Sequence, residues 1–357
     1  MKIDIITFHR AHNYGAVLQC YALQEVLKAR GVDVEIIDYR QSYIEWMYSP
    51  HLALKYIIKL LCHLEFSKLS RHFRTYKQQK IKTSYFTEFI ANYLHCSKEK
   101  GISQDCSVYI IGSDQMWSAH CTNGYDPIYW GNFERPIGSK LYGYSISANG
   151  DYKTVLTDLE IIENIKNFDA ISFREDSVRD DIGAICGKKF PITLDPTLLT
   201  ESSLWESIIK DEWANRKYIV NYQIRRKKSD PAMIDKEAIS YAKNYGYEVV
   251  DLSEMSYSVE DFVSAIKYAQ CVFTSSFHAT VFSIIFRKRF VTYLLGDAQD
   301  NRYNNLLRLL KLEKHLCYTT DGMEEIPLCS DSVALKRALT NLREESFKYL
   351  DEIISMQ

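Results

Sequence analysis

Neither sign of charge dominates this chain. Lys and Arg number 44 against 46 Asp and Glu, a formal net charge of −2 over 357 residues. No global field therefore draws it to nucleic acid, and no nucleic-acid partner is expected. The nine cysteines are scattered, with no CxxC and no Cys/His spacing of a zinc site, so no metal is indicated. Their odd number, and a start (MKIDIITFHR) that reads as a strand rather than a secretory h-region, point to reduced thiols and a cytoplasmic protein. No apolar run is long enough to span a bilayer. There is no low-complexity segment and no short-period repeat. GxGxxG is missing as well, which leaves dinucleotide binding without support. What is present is an ordinary globular composition, 46% hydrophobic and 25% charged, enough for two domains with real cores. The 26 tyrosines suit sugar-facing surfaces and ordinary cores alike.

Along the chain, strands and helices alternate. A strand Ile3–Phe8, a helix from about Tyr14 to Ala29 closed by Gly31, and a strand Val34–Tyr39 make one βαβ unit, hence a parallel sheet. Strands at 107–111, 140–147 and 170–173, with a helix over 153–167, extend it. Their ends carry small polar or charged residues, as a ligand-facing edge does. Asp195-Pro196-Thr197-Leu198-Leu199 marks the exit. From 217 the pattern restarts with strands at 218–222, 248–252, 271–274 and 289–295 and helices at 231–245, 258–269, 277–287 and 301–311. The expected fold is α/β, two Rossmann-like doubly wound domains in a GT-B-like arrangement with an interdomain cleft. The expected domains are 1–200, 201–330 and a C-terminal helix within 331–357 that packs back on the first domain.

A basic helical insertion lies at about 51–95. Leu54, Ile57, Ile58, Leu61 and Leu64 form an apolar stripe. Lys55, Lys59, Lys68, Arg71, Arg74, Lys77, Lys80 and Lys82 stand against the lone Glu65. Two readings stay open. One is a helical hairpin packed on the domain with a solvated basic face. The other is contact with an anionic membrane or a lipid-linked acceptor at the inner face of a membrane.

The most informative stretch is CVFTSSFHATVFSIIFR, 271–287. A buried-strand pattern runs into Ser275-Ser276, good helix caps, and then into apolar residues at helical spacing. His278 thus sits in the first turn of a helix at the carboxyl edge of a strand. Free first-turn N–H groups and the helix dipole favour an anion there.

Several blocks, in order, are similar to the polysaccharide pyruvyl transferase family. They are Asn13-Tyr14-Gly15-Ala16-Val17-Leu18-Gln19-Cys20-Tyr21-Ala22-Leu23, Gly112-Ser113-Asp114-Gln115-Met116-Trp117, Ser172-Phe173-Arg174-Glu175-Asp176-Ser177 and Leu194-Asp195-Pro196-Thr197-Leu198-Leu199. Ser276-Phe277-His278 and Arg302 complete the set. The resemblance implies a GT-B-like fold and transfer of a pyruvyl group from phosphoenolpyruvate (PEP) to a sugar, commonly as a ketal, in capsule or exopolysaccharide assembly. PEP is then a substrate, and no cofactor is implied. It implies His278 as general acid, with Asp114 or Glu175 as base. Arg174, Ser275, Ser276 and Arg302 would hold the donor, and Asn13, Gly15, Ser113 and Trp117 would face the acceptor. Many members carry Arg where this chain has Ser276, and Gly where it has Ala279. A nucleotide-sugar glycosyltransferase of the same fold, and a non-catalytic glycan-binding member, stay open as alternatives. His9 and His12 read as ordinary loop histidines.

Overall fold

Five strands form one parallel sheet in the computed structural model. They are β1 (Lys2–Ile6), β2 (Asp33–Ile36), β3 (Val108–Asp114), β4 (Lys140–Ile146) and β5 (Ala170–Phe173), ordered β2-β1-β3-β4-β5. The described residues are all but 1, 64, 100, 227–228, 254–256, 319–324 and 356–357. Ile3 lies opposite both Val34 and Val108, which sets the register at the sheet centre. A second parallel sheet holds β6 (Tyr218–Tyr222), β7 (Glu248–Asp251), β8 (Cys271–Thr274), β9 (Arg289–Leu294) and β10 (Leu316–Tyr318). Its order, β7-β6-β8-β9-β10, repeats that of the first sheet. Central strands such as Ile3–Ile6 and Tyr218–Val220 are buried on both faces, so their sequences read as nearly unbroken apolar runs. Each sheet has a switch point where neighbouring strands send the chain to opposite faces, β1/β3 in one and β6/β8 in the other. Open α/β sheets bind ligands at such points.

Local chemistry moves some boundaries from their expected places. β1 stops at Ile6, because the His9 amide turns back onto the Thr7 carbonyl at 2.8 Å. The helix expected over 153–167 begins as a 3₁₀ turn, Asp151–Thr154, and becomes α-helical only over Asp158–Ile165. Thr157 and Glu160 form a capping box there, which starts the α-helix anew.

The helix Tyr14–Lys28 is buried on almost every side, since it lies where the two domains meet. The Tyr14 ring stacks on Phe262 at 4.5 Å, and its hydroxyl donates to the Tyr257 carbonyl at 3.0 Å. One apolar core runs through both domains and includes Leu18, Leu198, Val220 and Phe282. The helix Val333–Ser355 returns to the first domain. Tyr349 donates its hydroxyl to the Gly143 carbonyl at 2.9 Å, and Ser346 Oγ accepts the Leu194 amide at 2.9 Å.

The insertion consists of the helices Leu54–Cys62 and Phe66–Tyr93. Its apolar stripe is not packed as a hairpin on a domain would require. Ile58 and Leu61 are 59% and 46% exposed, and Leu60 beside them is buried instead. The inward contact is made by Phe86, Phe89 and Ile90, near the end of the long helix. Leu64 and the side chains of Leu54, Lys55 and Lys59 lie outside the described residues.

Candidate active site

Both switch points open on one cavity of about 230 Å³. Phe8, Ala11 and Asn13 reach it from the loop after β1, and Asp114 and Gln115 from β3. Ser276, Phe277 and His278 come from the turn after β8, and Arg302 from the helix Asp300–Leu309 after β9. The helices Tyr14–Lys28, Phe277–Ile285 and Asp300–Leu309 all start at this wall. Their dipoles make the cavity favourable for negative charge.

Asn13 caps the first of these helices by accepting the Gly15 amide at 2.9 Å. Ser276 caps the second, accepting the Ala279 amide at 3.4 Å. That cap fixes the first turn and aims His278 across the domain boundary. His278 Nε2 lies 3.3 Å from Asp195 Oδ2 of the first domain. Its Nδ1 packs on Gly15, where a Cβ would stand 1.8 Å from that nitrogen. Gly15 was expected at the acceptor. Its helical backbone places it instead as the space into which the imidazole fits.

Asp195 stands at the hub of a buried ionic cluster. Its Oδ1 accepts the Thr197 amide and hydroxyl at 3.0 and 2.6 Å, and its Oδ2 accepts Arg174 Nη1 at 2.9 Å. Burial alone would raise its pKa, but His278 and Arg174 outweigh that and hold the carboxyl well below the usual carboxylate range. Arg174 donates Nη2 to Ser147 at 2.7 Å and Nε to Glu175 at 3.2 Å. Its guanidinium also lies 4.5 Å from the Phe277 ring centre and 3.7 Å from Asp114. Every edge of Arg174 is therefore engaged, and it does not border the cavity. It braces the site from beneath, where direct contact with a donor was expected.

Glu175 is buried, with Oε1 accepting from Ser147 and Arg174 and Oε2 without a partner. Burial raises its pKa, against the lowering effect of Arg174. Arg302 does border the cavity. It spends Nη2 on Gln299 at 3.0 Å, while its buried Nε has no partner. Asp114 borders it too, with φ at +99°, a conformation that costs a non-glycine residue on the order of 1–3 kcal/mol. The Gln115 amide, donated to Asp114 Oδ1 at 2.8 Å, holds it there. Just upstream, Gly112 is required: at φ +134° its Cβ would lie 1.9 Å from the Tyr144 carbonyl oxygen.

Ser275, Ser113 and Trp117 do not reach the cavity. Ser275 Oγ donates to the Arg225 carbonyl at 2.8 Å. Ser113 is buried and takes its amide to Gln19 Oε1 at 3.2 Å. Trp117 lies in the core, stacked on Trp130 at 4.0 Å. Tyr48, His120 and Cys121 are among the cavity residues that the sequence patterns did not single out. Their signal was absent because short helices, Ser42–Tyr48 and Ala119–Thr122, bring them in from outside the quoted blocks. His9, read as an ordinary loop histidine, is buried and meets Asp38 at 2.9 Å. Arg10 and Arg40 reach the same carboxylate at 2.7 and 2.8 Å, which stiffens the loop that lines the cavity. Among the described residues no group of three His, Cys, Asp or Glu side chains is placed to hold a metal ion.

A family model described as "Polysaccharide pyruvyl transferase" matches residues 13–294. The chain matches no curated protein. Among solved structures it is similar to a functionally uncharacterised protein from Klebsiella pneumoniae. That match has 13% identity, covers 67% of this chain and 85% of that one, and has a TM-score of 0.38. UDP-GlcNAc 2-epimerase from Neisseria meningitidis matches at 8% identity, with full coverage of both chains and a TM-score of 0.45. The enzyme of that name from Methanocaldococcus jannaschii matches at 10% identity, with 96% and 92% coverage and a TM-score of 0.42. The two-sheet architecture stands on the strand pairings themselves.

Proposed function

The chain belongs to the polysaccharide pyruvyl transferase family, and on that basis we propose that it moves the pyruvyl group of PEP onto sugar hydroxyls during capsule or exopolysaccharide assembly. The observation that carries this reading is His278, backed by Asp195, beside the unpaired Nε of Arg302 on the wall of one cavity. It joins a proton donor and an anion-binding cation at two helix starts.

PEP brings a carboxylate and a phosphate. Arg302 and the helix starts would bind them, and Ser276 stands where many members have a further arginine. Burial raises the pKa of Glu175, which weakens its negative charge beside Arg174 and Arg302. Asp195 lies 3.3 Å from Nε2 and orients the imidazole, which gives its proton to the methylene carbon of PEP. C2 becomes oxocarbenium-like. A sugar hydroxyl attacks C2 and loses its proton to Asp114. The bond from C2 to the phosphate oxygen then breaks, and phosphate leaves with the electron pair. A second hydroxyl attacks C2, returns a proton to the His278 imidazole, and closes the ketal. Tyr48, Gln115 and His120 stand where an acceptor would lie.

The test is phosphate release from PEP against a panel of acceptor glycans, with mass spectrometry of the acceptor. Acceptor-dependent release and one added pyruvyl group are expected. Silence with every glycan, together with thermal stabilisation by a nucleotide sugar and none by PEP, would transfer the protein to the glycosyltransferase reading.

A further inference from the structure

We propose that the helical insertion is a docking surface for an anionic lipid bilayer. Large apolar side chains are exposed there in unusual number. Of seventeen exposed large hydrophobic residues among the described ones, seven fall between 46 and 73. Trp46, Ile58, Phe66 and Phe73 are each between 46% and 61% exposed. A cluster of this kind marks an interaction site, whereas single exposed apolar residues need no explanation.

Charge identifies the occupant. Residues 51–82 hold eight Lys and Arg and one Glu, within a chain whose net charge is −2. The rest of the chain is therefore acidic by nine charges, and this arm is strongly cationic against it. Arg71, Arg74, Lys77 and Lys80 are exposed, and no ion pair engages any of them among the described residues. On the helix Phe66–Tyr93 the steps from Phe66 to Phe73, and from Phe73 to Lys77 and Lys80, are seven, four and seven residues, so all four share one stripe. Phe86 and Phe89, which are buried, lie on the opposite side. Phenylalanines interleaved with lysines on one helix face suit the boundary between acyl chains and anionic headgroups. No described helix is long and apolar enough to cross a membrane, so the arm would lie on the surface.

The surface leads to the active site. Met47 and Tyr48, next to Trp46, are in the cavity wall. Docking would thus bring the cavity mouth down to the bilayer, within reach of a sugar carried on a lipid. Only this last step rests on the sugar-acceptor reading above.

The test is co-sedimentation of the full chain with vesicles of phosphatidylcholine alone and of phosphatidylcholine with phosphatidylglycerol, without PEP or acceptor. Binding to the anionic vesicles is expected, at least tenfold tighter than to the neutral ones and weakening as salt rises. The combined change Arg71→Gln, Arg74→Gln, Lys77→Gln and Lys80→Gln is expected to lower that affinity at least tenfold. Phe66→Ser with Phe73→Ser should also weaken it, with circular dichroism unchanged in both variants. Equal binding to both vesicle types, binding to neither, or full binding by the charge variant would overturn the proposal. So would a dimer in gel filtration that the Phe66→Ser and Phe73→Ser changes dissolve while no vesicle binding is seen, because the face would then belong to a second copy of the chain. A protein inert toward PEP that still binds anionic vesicles would sink the transfer reading alone.

Discussion

Gly15 and His278 belong to different domains, and the Nδ1 of His278 lies 1.8 Å from where a Cβ on Gly15 would stand. The two domains are therefore fitted around one imidazole, and the smallest side chain on the other wall is a condition of its position.

Gly15→Ala should displace His278 without unfolding the protein. The imidazole is buried and held between Asp195 and Phe277, so it cannot swing aside freely. A misplacement of about 1 Å at a catalytic group can cost about 10² in rate. A loss of that order in kcat is expected, with a cooperative thermal transition retained. Unchanged turnover would show that the imidazole has room to move.

His278→Ala should abolish transfer and leave the fold intact. Removing a positioned proton donor costs on the order of 10²–10⁴ in rate. Single-turnover phosphate release is the direct measurement, and a rate near that of the unaltered protein would remove His278 from the chemistry.

Arg302 and Arg174 should respond differently to substitution. Arg302→Gln takes away a cation that borders the cavity with an unpaired Nε. A charge-assisted hydrogen bond of about 1.5–3 kcal/mol is at stake, which appears as a 10- to 100-fold higher apparent KM for PEP. Arg174→Lys replaces a fork that serves Asp195, Ser147 and Glu175 at once. Its main effects should be a lower thermal midpoint and a lower kcat, with KM for PEP little changed. Saturation kinetics in PEP on the two variants separate a donor ligand from a brace.

Stability should fall in two stages as pH falls. Burial, assisted by Lys82, pushes the pKa of His12 from 6.5 down to about 4. The unfolded chain takes up that proton first, so stability is full above pH 6.5 and declines toward pH 4. Asp38 is held well below the carboxylate range: burial opposes this, and the bonds from His9, Arg10 and Arg40 outweigh it. Asp195 is held low in the same way by His278 and Arg174. Their contribution is full above the ordinary Asp value of 3.8 and is lost as pH falls below it. Denaturant titrations from pH 8 to 3 check this. His315, pushed down to about 4 by burial as well, shares the first stage, so His12→Gln should shrink that stage and leave the second, and an unchanged first stage would clear His12 of it.

Residues 271–285 could be read from sequence because every signal in them is local. A β-branched strand, a serine cap and helical apolar spacing lie side by side, and they place His278 at a sheet edge before any fold is known. The paired α/β halves were legible for the same reason, since strand and helix periods and Gly ends are properties of neighbouring residues. The roles of Asp195 and Arg174 were not. The Asp195 block was visible, yet its bond to His278 crosses the domain boundary, and no local pattern encodes a partner so far away in the chain. Arg174 shows as a cation beside two acids. Only the approach of Asp195, Ser147 and Phe277 in space decides that it is fully engaged. In the basic insertion, periodicity disclosed the helices, but whether their apolar stripe is covered depends on what packs on it. The sequence by itself thus determined the elements and the chemistry they carry. Tertiary packing decided which charges are paired, which are free, and which face stays open, because pairing and burial arise between residues that only folding brings together.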